Sequence, residues 1–552
     1  MLALVAALQK EMAALREDHH RLREENQVLR DEVARLKGQK GKPVIAPSRL
    51  DRKRKPRRRR GGRRRSKPPV PLQIDVTQTV AATNLPAGSR LIDHVDYDVQ
   101  ELVIRTVTTR YRRERWRTPG GEVVTAPLPA GATVDGSHFG PTLQSYILYQ
   151  YHHAQVTEPL LYQQLRDFGV RISTGQLHRL ITDGKERFHQ EKDDILRVGL
   201  KVSGHIHTDD TGARHGGKNG YCTHIGNDWF AWFQSTQSKS RINFLGLLRG
   251  GATDYVLRDE ALEYMLAQKL PRVVLSKLAS HEGKTFADEA AWNAFLMSRD
   301  IVTERHVQIV TEGALLGAAL SHGINPKLAI VSDDAGQFNV LCHALCWIHA
   351  ERILAKLVGF NDEQRAALEA VRTSLWALYR DLKAYKEAPT ATARKDLSDR
   401  FDELCATRTC FSSLNHALDR MAKNKPELLR VLERPDLPLH NNLSEGDIRE
   451  YVKRRKISGG TRSHTGRRCR DTFASLKKTC RKLDVGFWDF VNDRVREGNR
   501  ISPLGEIIET RARGTAHHDR RTTAPPRRDR DHARPLRRPR PASQPARAGP
   551  GP

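Results

Sequence analysis

Cysteine is missing from the first 221 residues, and all seven cysteines lie at or beyond Cys222 with irregular spacing. This distribution is unlike the regular disulfide framework of a small secreted protein. The stretch from Ile74 to Pro129 has no cysteine at all, so a cysteine-based zinc ribbon cannot form there.

Membrane and export signals are also missing. No run of about 18 uninterrupted apolar residues occurs, and the N-terminal segment is too charged for a signal peptide. These absences predict a soluble, cytosolic protein. Its 552 residues exceed one ordinary domain, so we expect at least two folded units and tails.

Acidic residues are in the minority. The chain has 94 lysines and arginines against 65 aspartates and glutamates, a formal net charge of +29. A basic excess of this size indicates a polyanionic partner, and nucleic acid is the usual one. Part of the excess lies in tails, so the total says less about the folded core.

Residues 1–37 have the heptad pattern of a coiled coil. The d positions are Leu8, Leu15, Leu22, Leu29 and Leu36, and the a positions are Val5, Met12, His19, Asn26 and Val33. Acids at g precede bases at the next e, a pattern that favours a parallel, in-register homodimer. Asn26 at an a position favours two strands. The alternative, a lone solvated helix, gives no reason for unbroken leucines at d.

Residues 38–71 form a basic linker that is too charged to pack. We predict that its arginines grasp DNA without reading sequence; the alternative is a solvated spacer. The arginines are Arg57, Arg58, Arg59, Arg60, Arg63, Arg64 and Arg65. The Arg/Pro-rich segment 496–552 is predicted to be a disordered tail.

Two units are predicted between the linker and the core. Residues 72–139 form a small β-rich unit, with strands at Asp98–Arg105 and Thr106–Tyr111 and a turn at Pro119-Gly120-Gly121. Residues 140–198 are helical, and a helix ending before Gly169 followed by one capped by Ser173 suggests a helix-turn-helix. The second helix would present Gln176, His178 and Arg179 to DNA. Any αα-hairpin has a similar pattern.

Residues 199–495 form the predicted α/β core. A strand from His205 ends at Asp209-Asp210, and an apolar strand from Leu328 ends at Asp333-Asp334. A third acid, Glu445, opens a helix. Residues 361–435 are predicted to be a helical insertion. The helix after Glu445 and the segment beyond it are basic, with candidate DNA-binding residues Lys453, Arg454, Arg455, Lys456, Arg467 and Arg468.

Carboxylates on strand ends are costly unless paired or bound to a metal. About three of them suffice for a two-metal site, and they favour Mg²⁺. Each acid also has an ordinary explanation. Asp209 and Asp210 could be turn acids, Asp333 and Asp334 could cap a helix, and Glu445 has capping-box spacing from Asn442.

Four motifs, in order, resemble those of insertion-sequence-66 family transposases. They are His207-Thr208-Asp209-Asp210-Thr211, Val331-Ser332-Asp333-Asp334-Ala335, Cys346-Trp347-Ile348-His349-Ala350-Glu351-Arg352 and Asn441-Asn442-Leu443-Ser444-Glu445. The resemblance implies an RNase H-like catalytic core of the DDE type. It also implies that Asp209, Asp333 and Glu445 hold two Mg²⁺ ions, replaceable by Mn²⁺, for DNA cleavage and strand transfer.

Two departures from the family bear on DNA recognition. The family's zinc ribbon survives only as a remnant without ligands around Tyr111–Trp116, and no zinc is expected. The aromatic residue expected near Lys456-Ile457-Ser458 is also absent. The resemblance implies a bacterial, nucleoid-associated transposase that binds its transposon ends and target DNA, with accessory proteins as further partners. The alternative is a non-catalytic, coiled-coil dimeric DNA-binding protein derived from a transposase.

Cys342, Cys346 and His349 have a spacing that would put them near one face of a predicted helix. This arrangement is compatible with zinc, but no fourth ligand is evident, and buried helix residues explain the pattern better. His349 would then be a group near the metal site.

Overall fold

The computed structural model describes residues 73–82, 86, 88–134 and 136–522. The predicted coiled coil and basic linker lie outside them, as does the chain after residue 522. The chain divides into two units, Met1–Gln100 and Glu101–Pro552. The described part of the first unit is exposed and contains neither helix nor strand. The folded architecture that follows belongs to the second unit.

Nine strands are described. They are β1 (Arg115–Arg117), β2 (Val123–Thr125), β3 (His205–His215), β4 (Lys218–Gly226), β5 (Ala231–Thr236), β6 (Tyr255–Val256), β7 (Thr285–Phe286), β8 (Ala329–Ser332) and β9 (Cys342–Leu345).

Helices dominate the rest of the described chain. They are α1 (Pro141–Leu148), α2 (Glu158–Asp167), α3 (Thr174–Thr182), α4 (Glu186–Val202), α5 (Arg241–Leu248), α6 (Asp259–Ala267), α7 (Arg272–Ala279), α8 (Glu289–Ser298), α9 (Glu304–Ser321), α10 (Trp347–Ala355), α11 (Asp362–Glu387), α12 (Ala391–Ala406), α13 (Ser412–Lys423), α14 (Lys425–Leu428), α15 (Asn442–Ser458), α16 (His464–Lys482), α17 (Phe487–Val495) and α18 (Leu504–Thr522). No helix among these is long and apolar enough to cross a bilayer.

The central sheet has five strands in the order β5-β4-β3-β8-β9. Strands β3, β4 and β5 are antiparallel neighbours, whereas β3, β8 and β9 run parallel. All four residues of β8 are buried, as expected for a parallel strand covered on both faces. The second predicted acidic strand is confirmed, because β8 ends directly before Asp333. The first was predicted to end at Asp209-Asp210, but β3 continues to His215, because its later residues pair with β4. The protein is a mixed α/β protein.

Helices cover both faces of this sheet. One large apolar core includes Ile206 and Ile330 of the sheet and continues into α9 and α16. Successive residues of β8 alternate, so Ala329 and Val331 join Leu437 in a small core on the other face. Beyond it, α11, α12 and α13 pack on Trp347 with a core of their own. Most of residues 361–435 are therefore helical, as predicted for this stretch.

The helical unit before the sheet is also as predicted in its elements. Helix α2 ends before Gly169, whose φ of 81° suits glycine. Helix α3 begins with a capping box in which Ser173 and Gln176 exchange hydrogen bonds. Residues Tyr149–His153 form a π-helical turn that the sequence did not suggest.

The β-rich unit was predicted wrongly in its main strands. Residues 98–111 are exposed and form no ladder, although they include strand-forming residues such as Val103, Ile104 and Tyr111. A strand needs a partner for its backbone groups, and β propensity does not supply one. Only β1 and β2 pair here, on either side of the predicted turn, where Gly121 has a φ of 89°.

Two other predictions are corrected. Cys342–Leu345 is strand β9, and the helix begins only at Trp347, so Cys342, Cys346 and His349 do not share a helix face. The tail does not become irregular at 496, because α18 continues to Thr522. Leu504 and Ile508 are fully buried against the core, and the Leu504 amide donates to Glu191. The burial of these two apolar side chains stabilises α18 against the core, although the residues around them are basic.

Candidate active site

Strand pairing places the two candidate aspartates side by side. In the parallel ladder of β3 and β8, His207 lies opposite Val331. Asp209 and Asp333 each follow two residues later, so the same register sets Asp209, within β3 just beyond its pairing with β8, next to Asp333, directly after β8. Asp333 therefore lies at the carboxyl end of a parallel strand, where α/β sheets bind ligands.

Asp209 lies in a strongly acidic environment. Burial raises the pKa of its carboxyl to about 7, the charges of Asp333, Asp210 and Glu445 add to the rise, and the Asp210 amide opposes it. That amide donates to Oδ1 of Asp209 at 2.7 Å. A cation would be favoured beside Asp209, because it would offset both the repulsion from the other acids and the desolvation of this carboxylate.

The neighbouring aspartates already have partners. Asp210 accepts hydrogen bonds from the Thr223 hydroxyl at 2.5 Å and from the Gln337 amide at 2.9 Å. Thr223 is the ladder partner of Asp210, so the two side chains lie on the same face of the sheet. Successive strand residues alternate between faces, so Asp209 lies on the opposite face. Asp334 forms an ion pair with Arg420 at 2.6 Å.

Asn441 positions the helix that carries the third acid. It is fully buried immediately before α15. Its side-chain amide donates to the Thr208 carbonyl at 2.8 Å, and its side-chain oxygen accepts from Nδ1 of His207 at 3.0 Å. Its backbone amide donates to Sγ of Cys346 at 3.1 Å. One residue thus joins the start of α15 to β3 and to the start of α10.

Glu445 makes no capping hydrogen bond to the start of its own helix, so the capping box with Asn442 does not form. Its carboxylate accepts two hydrogen bonds from Arg352, at 2.7 and 3.3 Å, and one from Arg449 at 3.3 Å. Nε2 of His349 is 3.6 Å away. These contacts, led by the Arg352 hydrogen bond, lower the pKa of Glu445.

The donor chemistry of these carboxylates fits a hard divalent cation, since Mg²⁺ prefers oxygen ligands. Even so, no group of three or more acidic, histidine or cysteine side chains in the described part of the chain is gathered closely enough to hold a metal ion. Glu445 is engaged by Arg352 instead. Metal binding by the three acids therefore requires the Glu445 side chain to leave that ion pair.

The candidate DNA-binding residues occupy different environments. His178, Arg179, Lys453, Lys456 and Arg468 are exposed. Gln176 is engaged in the α3 capping box, and Arg467 contacts His464 at 3.2 Å. Arg455 reaches back to the Gly212 carbonyl and the Thr211 hydroxyl of β3. Arg454 is buried, with 9% of its surface exposed. The seven arginines between Arg57 and Arg65 lie outside the described residues.

Three contributors to the site were not assigned a role from sequence. Arg352 and Asn441 stood in the motifs, but nothing in their spacing indicated that one pairs with Glu445 and the other joins two elements. Gln337 carried no sequence signal. Its contact with Asp210 depends on the short loop after β8 folding back over β3.

The protein is a mixed α/β protein that sets Asp209 of β3 beside Asp333, which directly follows the parallel strand β8. The model of the family described as "Transposase IS66 family" matches residues 329–468, a span that contains Asp333 and Glu445. The chain belongs to this transposase family. It is also similar to the uncharacterized protein y4jO of Sinorhizobium fredii (strain NBRC 101917 / NGR234). The two are 42% identical over 321 residues, which are 58% of this chain and 100% of that protein.

Proposed function

We propose that this protein is a DDE-type DNA transposase that cleaves the ends of an insertion sequence and joins them to target DNA. The observation that carries the proposal is the register of β3 and β8, which sets Asp209 beside Asp333. Asn441 ties the helix of Glu445 to the same strand. Acids that are far apart in sequence therefore lie on neighbouring elements of the sheet and α15. The chain also belongs to a transposase family.

The order of the central sheet supports an RNase H-like core. Three antiparallel strands lead into a parallel extension, β3-β8-β9, and the acids lie on β3 and directly after β8. The helical insertion, α11 to α13, separates Asp333 from Glu445 in sequence without parting their elements in space.

In the proposed reaction, water attacks a phosphodiester at the transposon end and releases a 3′-hydroxyl. That hydroxyl then attacks a phosphodiester of the target, so one P–O bond forms as another breaks. Asp209, Asp333 and Glu445 would hold two Mg²⁺ ions, or Mn²⁺ in their place, which supply Lewis-acid stabilisation of the attacking and leaving oxygens. Arg352 neutralises Glu445 in the free protein.

The decisive experiment is nicking of a DNA end in the presence of Mg²⁺, with wild type and Glu445→Gln compared. The variant keeps nearly the same shape but loses a charge, so we expect it to bind DNA and not cleave it. EDTA should abolish wild-type cleavage. Equal cleavage by both proteins would show that Glu445 is not part of the active site.

One observation favours a second candidate, a non-catalytic DNA-binding protein derived from a transposase. Glu445 is held by Arg352, and the acids are not gathered as metal ligands in the described residues. This candidate predicts that wild type and Asp209→Asn bind DNA equally and that neither cleaves it with Mg²⁺ or Mn²⁺.

The proposed partner is double-stranded DNA, bound by a homodimer. Heptad leucines and the e/g charges support a parallel coiled coil over residues 1–37, and the linker arginines support attraction to phosphates. Sedimentation of a peptide spanning these residues tests the dimer. A monomer at tens of micromolar would exclude it, and Asn26→Leu should raise its melting temperature while loosening its oligomeric state.

A further inference from the structure

Arg454 is a buried cation whose end groups lack partners. It lies on α15 with its guanidinium 4.2 Å from the centre of the Tyr151 ring. Both terminal nitrogens, Nη1 and Nη2, are buried and make no hydrogen bond of ordinary geometry. Burial lowers the pKa of Arg454, and the contact with the Tyr151 side chain opposes that change. An aromatic face stabilises a cation but does not satisfy its N–H groups. Leaving such donors unpaired is costly, so their ligand should be sought.

Arg454 lines a cavity of about 30 Å³ that is partly open to solvent. Its walls are α15, α16, β5 and the π-helical turn Tyr149–His153, which brings Tyr151 beneath Arg454. Single π-helical turns are frequent at functional sites. Arg470 and Lys477 of α16 contribute further positive charge to the cavity.

The acids that border the cavity do not neutralise Arg454. Glu450 forms ion pairs with Lys477 and, at 2.8 Å, with Lys478. Asp447 pairs with Lys482 at 2.9 Å and with His224 at 3.2 Å. Each acid is thus engaged by other cations.

The remaining groups add no negative charge. Arg470 donates to the Gly459 carbonyl and to the Ser458 hydroxyl, both at 2.9 Å. His152 stacks on Phe473, and burial, reinforced by the charge of Arg454, holds its pKa well below the ordinary value. His152 is therefore neutral near pH 7, and the cavity keeps an excess of positive charge.

We propose that this cavity is a binding site for one phosphate group, held by the guanidinium of Arg454. A planar guanidinium matches two phosphate oxygens with parallel N–H groups, which suits the two unpaired nitrogens. The phosphate comes from a DNA backbone or from a free phosphate ion. This phosphate site is separate from the site of Asp209, Asp333 and Glu445. Arg454 follows Glu445 by nine residues, and at about 100° per residue the two side chains lie on opposite sides of α15.

The test uses the full chain in EDTA, so that cleavage plays no part. Melting temperature is measured in inorganic phosphate and in chloride of equal ionic strength. Phosphate should raise it for wild type and not for Arg454→Met, which keeps the length of the side chain without its charge. Arg481→Met, an exposed position on α16, serves as the matched control and should keep the phosphate response.

Binding of a short DNA duplex, followed by fluorescence anisotropy, identifies the source of the phosphate. If a DNA phosphate enters the cavity, Arg454→Met should bind about tenfold to a hundredfold more weakly, the range for a charge-assisted hydrogen bond. If free phosphate is the ligand, DNA affinity stays constant and only the melting response is lost. Both results support the site.

The proposal is overturned if Arg454→Met matches wild type in both arms, or if it lowers the melting temperature equally in phosphate and chloride without changing DNA affinity. If the methionine variant does not fold, Arg454→Lys replaces it. That variant keeps the charge but loses the fork, so a reduced phosphate response is expected and a full one contradicts the proposal. Glu445→Gln should keep the phosphate response, so failure of the nuclease assay leaves this result intact.

Discussion

The two faces of α15 place their charged side chains in different environments, one exposed and the other buried. The face that carries Glu445 also bears Arg449, Lys453 and Lys456, all exposed. The opposite face packs Asp447 and Tyr451 into the core beside Arg454. Four consecutive basic residues therefore do not form one surface, because each residue turns the helix by about 100°.

This difference teaches that a basic run on a helix is several features with separate roles. Lys453 and Lys456 are free to follow a DNA backbone in solvent. Arg455 fastens α15 to the Gly212 carbonyl of β3. Arg454 faces a cavity. Each role predicts a different result when the residue is changed.

The largest effect should come from the acids that α15 faces. The proposed metal role of Asp209 predicts that Asp209→Asn lowers DNA cleavage by about a thousandfold, since losing a shared metal ligand would cost several kcal/mol in the transition state. Asp210→Ala should lose only about tenfold, because that carboxylate contacts Thr223 and Gln337 on the other face of β3. Single-turnover nicking in Mg²⁺ measures both. A dead Asp210→Ala with an active Asp209→Asn would place the active-site register one residue off.

The next largest effect should come from Asn441, whose hydrogen bonds hold the start of α15 against β3. Asn441→Ala removes two hydrogen bonds and leaves the Thr208 carbonyl and Nδ1 of His207 buried without partners. We expect the free energy of unfolding to fall by about 3 kcal/mol. Asn442→Ala, at the exposed next position, should change it by less than about 0.5 kcal/mol. Urea unfolding compares the two, and equal losses would mean that Asn441 does not join these elements.

The sequence predicted features that depend on local pattern. A β-compatible run marked the start of β3, an apolar run marked β8, and helical spacing marked residues 361–435. Ser173 and Gly169 marked a helix start and a helix end through their own backbone chemistry. Asp209, Asp333 and Glu445 came from the family motifs, which chose among neighbouring acids that the residues alone did not separate.

What escaped prediction depends on contacts between distant segments. The chain around Val103 has strand-forming residues but no neighbour to pair with among the described residues. Cys342 to Leu345 was assigned to a helix because the parallel pairing with β8 leaves no local signal. The ion pair of Arg352 with Glu445 joins residues on separate helices. No spacing rule yields such pairs before the fold is known.

A smaller effect should separate the exposed lysines of α15 from Arg454. Replacing Lys453 and Lys456 together with glutamine should lower the slope of log K against log salt for DNA binding by about 2, at about 0.9 per phosphate contact. Melting temperature should stay the same, since both side chains are exposed. Anisotropy titrations at several salt concentrations measure the slope. An unchanged slope would remove this face from the DNA interface.

The smallest effect should come from Arg352, which pairs with Glu445. Arg352→Gln leaves Glu445 with its hydrogen bond from Arg449 but removes the Arg352 ion pair and a nearby positive charge, and both changes favour a cation. The Arg352 side chain is 43% exposed, so the pair contributes at most about 1 kcal/mol and Mn²⁺ affinity should rise by a factor of about five or less. Calorimetric titration of the DNA-free protein measures this change without reference to activity. Arg372→Gln is the matched control, because Arg372 pairs with Glu351 of α10 and not with any of the three acids. Weaker Mn²⁺ binding in Arg352→Gln alone would mean that Arg352 supports the carboxylate in its metal-binding position and does not compete with the metal for it.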